Sequence, residues 1–149
     1  SINNYNHNIH IFDNYLIYFN GKNKISTYDI FSKKFILNNK QILNVESFGF
    51  INNALIVSNN KQLKAYNIFN GNIFWSLDIS KYIKDNNKLI QVELSNNRLY
   101  VFFDNGQIFI IEKDQIIDQF NIKLKNINLI YLQNNKIFFS TLNGKTTIF

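Results

Sequence analysis

Short apolar runs alternate with polar pairs along the whole chain, and the alternation recurs at a regular interval. The same phrase, a polar pair followed by a run of branched and aromatic residues, starts at Asp13, Asn52, Asn96 and Asn134. These starts are separated by 39, 44 and 38 residues. Polar pairs are typical of tight turns and such apolar runs are typical of strands, so each phrase predicts a turn that leads into a buried strand.

Further strand-like segments flank each phrase. A second turn follows it, often with an Asn-Gly pair that suits the positive φ angles of a hairpin. Predicted third strands then cover residues 24–28, 62–66, 107–111 and 145–149. Predicted fourth strands cover residues 34–37, 72–77 and 116–122. Predicted first strands, ahead of each phrase, cover residues 8–12, 43–50, 89–94 and 127–132. Most first strands are apolar on both faces, which favours a deeply buried layer.

The repeat predicts an all-β fold, a β-propeller of four-stranded antiparallel blades. Four short strands per roughly 40 residues are typical of a propeller blade. About three and a half blades are present, as units at approximately 1–38, 42–79, 88–122 and 126–149. No segment sustains the spacing of a helix, although residues 80–87 could hold one helical turn. A two-sheet sandwich is the alternative, and we favour the propeller because a sandwich does not require a phrase repeated at blade length.

The blade count indicates that residues 1–149 form a partial propeller. Propellers close around their axis with about four to eight blades, and an open arc would expose apolar faces and an unpaired edge. We therefore expect the rest of the propeller to come from further sequence or from another chain.

Composition narrows the range of functions. The chain is 46% hydrophobic and 16% aromatic, which excludes a disordered protein, and it has no cysteine for disulfide or thiolate chemistry. A net charge of +6 suggests nucleic acid as a partner, but Arg98 is the only arginine among sixteen basic residues. Base and phosphate recognition favours arginine, so we expect no nucleic-acid binding. The excess of Asn, Ile and Lys resembles the product of AT-rich coding.

Few residues are candidates for chemistry. His7 and His10 are three positions apart, which on a strand places them on opposite faces, so we expect no metal site. Gly144-Lys145-Thr146 resembles the end of a phosphate-binding loop but lacks the upstream glycine. The sequence predicts no catalytic, cofactor-binding or metal-binding residue.

One segment resembles a known repeat. Ala65, Asn67, Asn70, Gly71 and Trp75 match the spacing of the PQQ-type propeller repeat, written Ala-x-Asp-x-x-Thr-Gly-x-x-x-Trp. Asn67 stands for the acid and Asn70 for the threonine. Weaker versions of the motif occur at Thr27, Asp29, Ser32, Lys33 and Leu37, and at Ile110, Glu112 and Phe120. The resemblance implies structural roles: Gly71 gives the turn an unhindered backbone, while Trp75 buries its ring between blades and its N–H finds a carbonyl.

The resemblance implies two functions. Outer-membrane assembly lipoproteins of the BamB type are eight-bladed scaffolds without a cofactor that act beside the barrel-assembly machinery in Gram-negative bacteria. Quinone-dependent alcohol or sugar dehydrogenases hold PQQ and calcium on the propeller axis, with a catalytic carboxylate, calcium ligands and often a vicinal cysteine pair. The chain has no cysteine, and its acidic residues fall largely at turns.

We therefore expect a BamB-like, non-catalytic scaffold that binds proteins at the periplasmic face of the outer membrane, attached only through a lipid anchor outside this sequence. Blade-end loops such as residues 82–87, together with an exposed sheet edge, would bind an extended segment of the partner. A PQQ- and calcium-dependent dehydrogenase and a generic interaction propeller of a eukaryote remain the alternatives.

Overall fold

The computed structural model describes residues 8–59, 61–83, 87–124, 127–133 and 136–148. In this part of the chain the regular secondary structure is all β, with fifteen strands in four antiparallel sheets. Sheet 1 contains β1 (Ile9–Phe12), β2 (Tyr15–Phe19), β3 (Lys24–Asp29) and β4 (Lys34–Gln41). Sheet 2 contains β5 (Ser47–Ile51), β6 (Ala54–Ser58), β7 (Gln62–Asn67) and β8 (Ile73–Asp78). Sheet 3 contains β9 (Leu89–Ser95), β10 (Arg98–Phe103), β11 (Gln107–Glu112) and β12 (Gln115–Asn121). Sheet 4 contains β13 (Ile127–Gln133), β14 (Lys136–Thr141) and β15 (Thr146–Ile148).

Within each sheet, strands that are consecutive in sequence are also neighbours in space. This meander confirms the predicted fold class of four-stranded antiparallel units, with a fourth unit that has three strands in the described residues.

Asparagine side chains shape the hairpin turns. The backbone N–H of Lys22 donates to Asn20 Oδ1 at 2.9 Å, and that of Lys61 donates to Asn59 Oδ1 at 3.0 Å. The N–H of Gln107 donates to Asn105 Oδ1 at 3.0 Å in the same way. These Asx turns satisfy backbone donors that no strand partner reaches, and they explain why a chain of short hairpins uses so many asparagines.

Two strand boundaries lie four residues from their predicted positions. β5 begins at Ser47 rather than at residue 43, because Asn44 has a φ of 57°, a left-handed conformation that no strand accommodates. β4 continues to Gln41 rather than ending at residue 37. It passes Asn39 through a bulge, where Asn39 has a φ of 54° and its N–H donates to Ser26 Oγ at 2.9 Å.

The predicted helical turn lies between sheets 2 and 3. The N–H groups of Tyr82 and Ile83 both donate to the Ile79 carbonyl, at 2.9 and 3.1 Å, which makes a single turn. Residues 84–86 lie outside the described part of the chain.

Three clusters of buried side chains join the sheets in sequence order. The cluster between sheets 1 and 2 includes Ile17, Phe19, Leu55 and Val57. The cluster between sheets 2 and 3 includes Ile56, Ala65, Val101 and Phe103. The cluster between sheets 3 and 4 includes Phe102, Ile108, Ile130 and Phe139. Because successive residues of a strand point to opposite faces, the middle strand of an inner sheet supplies side chains to two clusters.

The prediction of a deeply buried first strand in each unit is wrong for sheet 1. Ile9 and Ile11 of β1 are 55% and 65% exposed, whereas Leu89 and Val92 of β9 are buried. Sheet 2 packs on only one face of sheet 1, so the side chains on the other face of β1 lie in solvent.

Candidate interaction surfaces

Three residues of the repeat motif shape the turn between β7 and β8. Asn67 Oδ1 accepts the N–H of Phe69 at 2.7 Å, and Asn70 Oδ1 accepts the N–H of Asn72 at 2.9 Å. Gly71 has a φ of +70°, and its N–H donates to the Asn67 carbonyl at 2.8 Å. Asparagine can therefore stand in both polar places of the motif, because each place needs only a side-chain oxygen that accepts from the backbone two residues on.

The equivalent turn of sheet 1 uses a carboxylate in the same role. Asp29 Oδ1 accepts the N–H of Phe31 at 2.9 Å, and Asp29 Oδ2 accepts the Ser32 hydroxyl at 2.8 Å. The hydrogen bond from the Ser32 hydroxyl is the main reason that the pKa of Asp29 lies below its usual value. The carboxylate of Asp29 is thus engaged by its own turn.

Ala65 and Trp75 are register partners across β7 and β8. Ala65 is buried between sheets 2 and 3, and the half-buried ring of Trp75 packs against the same cluster. The carbonyl acceptor expected for the Trp75 ring N–H is not found among the described residues. Part of the indole is left accessible at the end of the contact between the two sheets.

A groove opens beside this exposed part of Trp75, and we call it the Trp75 groove. It has a volume of about 490 Å³ and lies between the β5–β6 and β11–β12 turns, beside strands β8, β9 and β10. Its lining residues are Ile51, Asn52, Asn53, Ala54, Ile56, Phe74, Trp75, Leu94, Leu99 and Asp114. Phe74 and Leu94 are nearly half exposed. An apolar floor with polar turn residues at its rim can hold apolar side chains of an extended segment.

A second apolar surface covers the face of sheet 1 that is turned away from sheet 2, and we call it the sheet 1 outer face. Its members are Ile9, Ile11, Leu16, Tyr18, Tyr28 and Phe35, joined by the strand registers. The rings of Tyr28 and Phe35 pack edge to face at 5.2 Å. A shallow recess of about 420 Å³ lies between them and Leu16 and Tyr18. This surface continues across all four strands.

A third apolar surface lies on the face of sheet 4 that is turned away from sheet 3, and we call it the sheet 4 outer face. Tyr131, Phe138 and Ile148 are in register across β13, β14 and β15. Tyr131 and Ile148 are each 56% exposed, and the rings of Tyr131 and Phe138 lie 6.3 Å apart. The arc therefore has one uncovered apolar face at each end.

Other residues considered from the sequence take structural positions. His10 Nε2 lies 3.0 Å from the Asn52 carbonyl and its ring stacks on Phe50, while His7 lies outside the described residues. In the described ranges, no group of three or more His, Cys, Asp or Glu side chains is placed to hold a metal ion. Gly144 has a φ of +75° in the turn between β14 and β15. In the described part of the chain, no helix has the length and apolarity that a bilayer span requires.

Apart from Trp75, the sequence motifs do not single out the exposed side chains that form the three surfaces. Phe74 occupies a variable place of the repeat motif, and Leu94 ends a strand assigned to the core. The signal that could have found the sheet 1 outer face is the repeat itself. Leu16 and Tyr18 stand at the places of Leu55 and Val57, which pack on the preceding sheet, whereas no sheet of the described residues packs on Leu16 and Tyr18.

Comparisons with known proteins show the fold. The sequence matches no protein-family model and is not significantly similar to any curated protein. BamB from Moraxella catarrhalis superposes with a TM-score of 0.62 at 17% identity, over 94% of this chain and 41% of BamB. The computationally designed Ika4 protein gives a TM-score of 0.66 at 13% identity, over 95% of this chain and 88% of Ika4.

The WD40 domain of SCAP from fission yeast gives a TM-score of 0.62 at 13% identity, over 94% of this chain and 40% of that one. This chain therefore spans about two fifths of the length of BamB and of the WD40 domain. At these identities the likeness concerns architecture alone, and it identifies the four sheets as blades of a β-propeller.

Proposed function

We propose that this chain is part of a non-catalytic β-propeller scaffold of the PQQ-like repeat family that binds other proteins. Its role would resemble that of BamB, at the periplasmic face of the outer membrane, in the assembly of outer-membrane β-barrel proteins without a cofactor. The observation that carries the proposal is the Trp75 groove, in which exposed apolar side chains line a recess framed by turns.

The side chains of the groove favour a polypeptide as the ligand. Phe74, Leu94 and the exposed part of Trp75 offer apolar area along the groove, and covering a large apolar side chain fully contributes about 1.5–3 kcal/mol. Asn52, Asn53 and Asp114 at the rim offer donors and acceptors for a main chain. Aromatic anchors surrounded by polar groups are typical of protein interfaces.

Unfolded segments of β-barrel proteins suit such a groove. Strands of outer-membrane barrels alternate apolar and polar side chains, so an extended segment presents apolar groups at every second position. One row of these groups can enter the groove while the other row stays in solvent. This match supports a partner among barrel precursors or the machinery that inserts them.

Charge substitution in the groove tests the proposal. We expect Phe74→Lys and Leu94→Lys each to weaken binding by at least about 10-fold, because a charged ammonium would replace a buried apolar contact. Fluorescence anisotropy with a labelled, urea-unfolded outer-membrane barrel protein, and a pull-down with the purified barrel-assembly machinery, measure the effect.

Ile117→Lys provides the matched control. Ile117 is exposed to the same degree as Phe74, but it lies on β12 and does not line the groove. Its substitution should leave binding unchanged. Equal binding by all three variants and the parent chain would show that the groove is not the site.

A further inference from the structure

The repeat makes the two outer faces equivalent to surfaces that are already paired inside the molecule. Aligning the four phrases places Leu16 and Tyr18 of sheet 1 with Leu55 and Val57 of sheet 2. Leu55 and Val57 belong to the cluster shared with the preceding sheet. The sheet 1 outer face is therefore equivalent to the face of sheet 2 that packs on sheet 1.

The sheet 4 outer face is the complementary kind of surface. Phe138 aligns with Ile17 of sheet 1 and Ile56 of sheet 2. Ile17 and Ile56 each belong to the cluster shared with the following sheet. Ile148, the register partner of Phe138, corresponds to Thr27 and Ala65, which are buried against the following sheet. The two ends of the arc thus carry the two halves of one blade-to-blade contact.

One observed pair shows which residues would meet. His10 of sheet 1 stacks on Phe50 of sheet 2, with ring centroids 5.1 Å apart and an interplanar angle of 2°. By register and phrase alignment, His10 corresponds to Tyr131, and Phe50 corresponds to Ile11. If sheet 4 were followed by a sheet 1, Tyr131 would lie on Ile11 as His10 lies on Phe50.

We propose that two copies of this chain pair reciprocally, so that the sheet 1 outer face of each copy packs on the sheet 4 outer face of the other. A two-fold axis relates the copies, and both uncovered ends of each arc become buried. The eight sheets of the two chains then form one ring, within the range of about four to eight blades with which propellers close.

The occupant is a second copy rather than the other end of the same chain. Within the described residues, the buried clusters join only sheets that are consecutive in sequence. Ile9, Ile11, Tyr131 and Ile148 all remain more than half exposed, so the two ends do not cover one another.

Sedimentation of the 149-residue chain tests the proposal. We expect a mass of twice the 17.7 kDa of one chain at micromolar concentration. Ile11→Lys and Tyr131→Lys should each raise the dissociation constant by at least about 10-fold, because each inserts a charge into the proposed contact. Phe31→Lys is the control, since Phe31 is 84% exposed in the β3–β4 turn, away from both outer faces.

Cysteine crosslinking tests the direction of the contact. The chain has no cysteine, so Ile11→Cys and Tyr131→Cys each introduce a single thiol. A short thiol-reactive crosslinker should join the two variants when they are mixed and should join neither variant to itself. A contact of two identical faces would instead crosslink one variant with itself and would overturn the proposal.

Two further results would also overturn it. One is a chain that sediments as a 17.7 kDa monomer, because the two outer faces would then not be covered by a second copy. The other is a dimer that resists both lysine substitutions, provided that circular dichroism shows both variants to be folded. Neither Ile11 nor Tyr131 lines the Trp75 groove, so these results are separate from the test of ligand binding.

Discussion

Thr27 joins two sheets through one hydroxyl group. It is fully buried in β3 of sheet 1, and its hydroxyl donates a hydrogen bond to the carbonyl of Ile68 in sheet 2's β7–β8 turn. Ala65 stands at the equivalent place of the next unit and makes no such bond. Thr27, at the first position of the weaker motif, therefore donates to the Ile68 carbonyl, which the β7–β8 turn leaves between sheets 1 and 2.

Removing this hydroxyl should destabilise the chain. We expect Thr27→Val to lower the free energy of unfolding by about 1–2 kcal/mol, because the shape is kept while the Ile68 carbonyl loses its donor. Urea unfolding followed by circular dichroism measures the change. Thr146→Val on the exposed β15 should change the free energy of unfolding by less than about 0.5 kcal/mol. A Thr27→Val chain as stable as the parent would contradict the assigned hydrogen bond.

The first strands of sheets 2 and 3 approach closely at Gly49. A Cβ added to Gly49 in β5 would lie 3.2 Å from Val92 Cγ2 and 3.3 Å from Leu89 Cδ2, both in β9. The absence of a side chain at Gly49 therefore sets the spacing between these two strands. A single residue in this way determines how two elements pack.

A larger residue at Gly49 should separate the two strands. Gly49→Val is expected to cost about 1–3 kcal/mol of stability through overpacking against Val92 and Leu89. Thermal unfolding measures the loss. Gly21→Ala serves as the comparison, because no atom lies within 4 Å of a Cβ at Gly21. Equal stability of the two variants would mean that β5 and β9 are not in this close contact.

The sequence predicts most strands because turn residues and apolar runs alternate so regularly. The second and third strands of units 1 to 3 fall within one or two residues of their predicted ends. The prediction fails where asparagine acts inside or beside a strand. Asn44 ends the segment ahead of β5, whereas Asn39 lets β4 continue through a bulge. The same residue type gives opposite outcomes because its left-handed conformation can either end a strand or be absorbed by a bulge.

At the scale of the molecule, the four sheets form an open arc in which each core cluster is shared by two consecutive sheets. The sequence predicts the number of units but not which faces remain uncovered, because equivalent residues are buried in one sheet and exposed in another. Leu55 is fully buried, while its equivalent Leu16 lines an open recess. For the same reason, stability should vary from sheet to sheet along the chain.

Weakening the contact between sheets 3 and 4 should make sheet 4 unfold locally more readily than the other sheets. Phe139 is buried between sheets 3 and 4, with its ring 6.4 Å from that of Phe102. Phe139→Ala is expected to cost about 3–5 kcal/mol, because it leaves a cavity in the contact that sheet 4 makes with sheet 3. Hydrogen exchange followed by mass spectrometry should then accelerate in residues 127–148 while β2 and β6 keep their protection. Uniform acceleration throughout the chain would instead indicate one cooperative unit.

The asparagine turns make the molecule susceptible to deamidation. Asn20-Gly21, Asn70-Gly71, Asn105-Gly106 and Asn143-Gly144 place an unhindered glycine after an asparagine, the arrangement in which the side-chain amide most easily loses ammonia. Each such event adds one negative charge to a chain that starts at +6. An aspartate formed at Asn20 or Asn70 keeps the oxygen that accepts from the backbone, so these hairpins tolerate the change. An isoaspartate product adds a carbon atom to the main chain and so disrupts the turn in which it forms. Such damage would accumulate with time at each Asn-Gly turn independently.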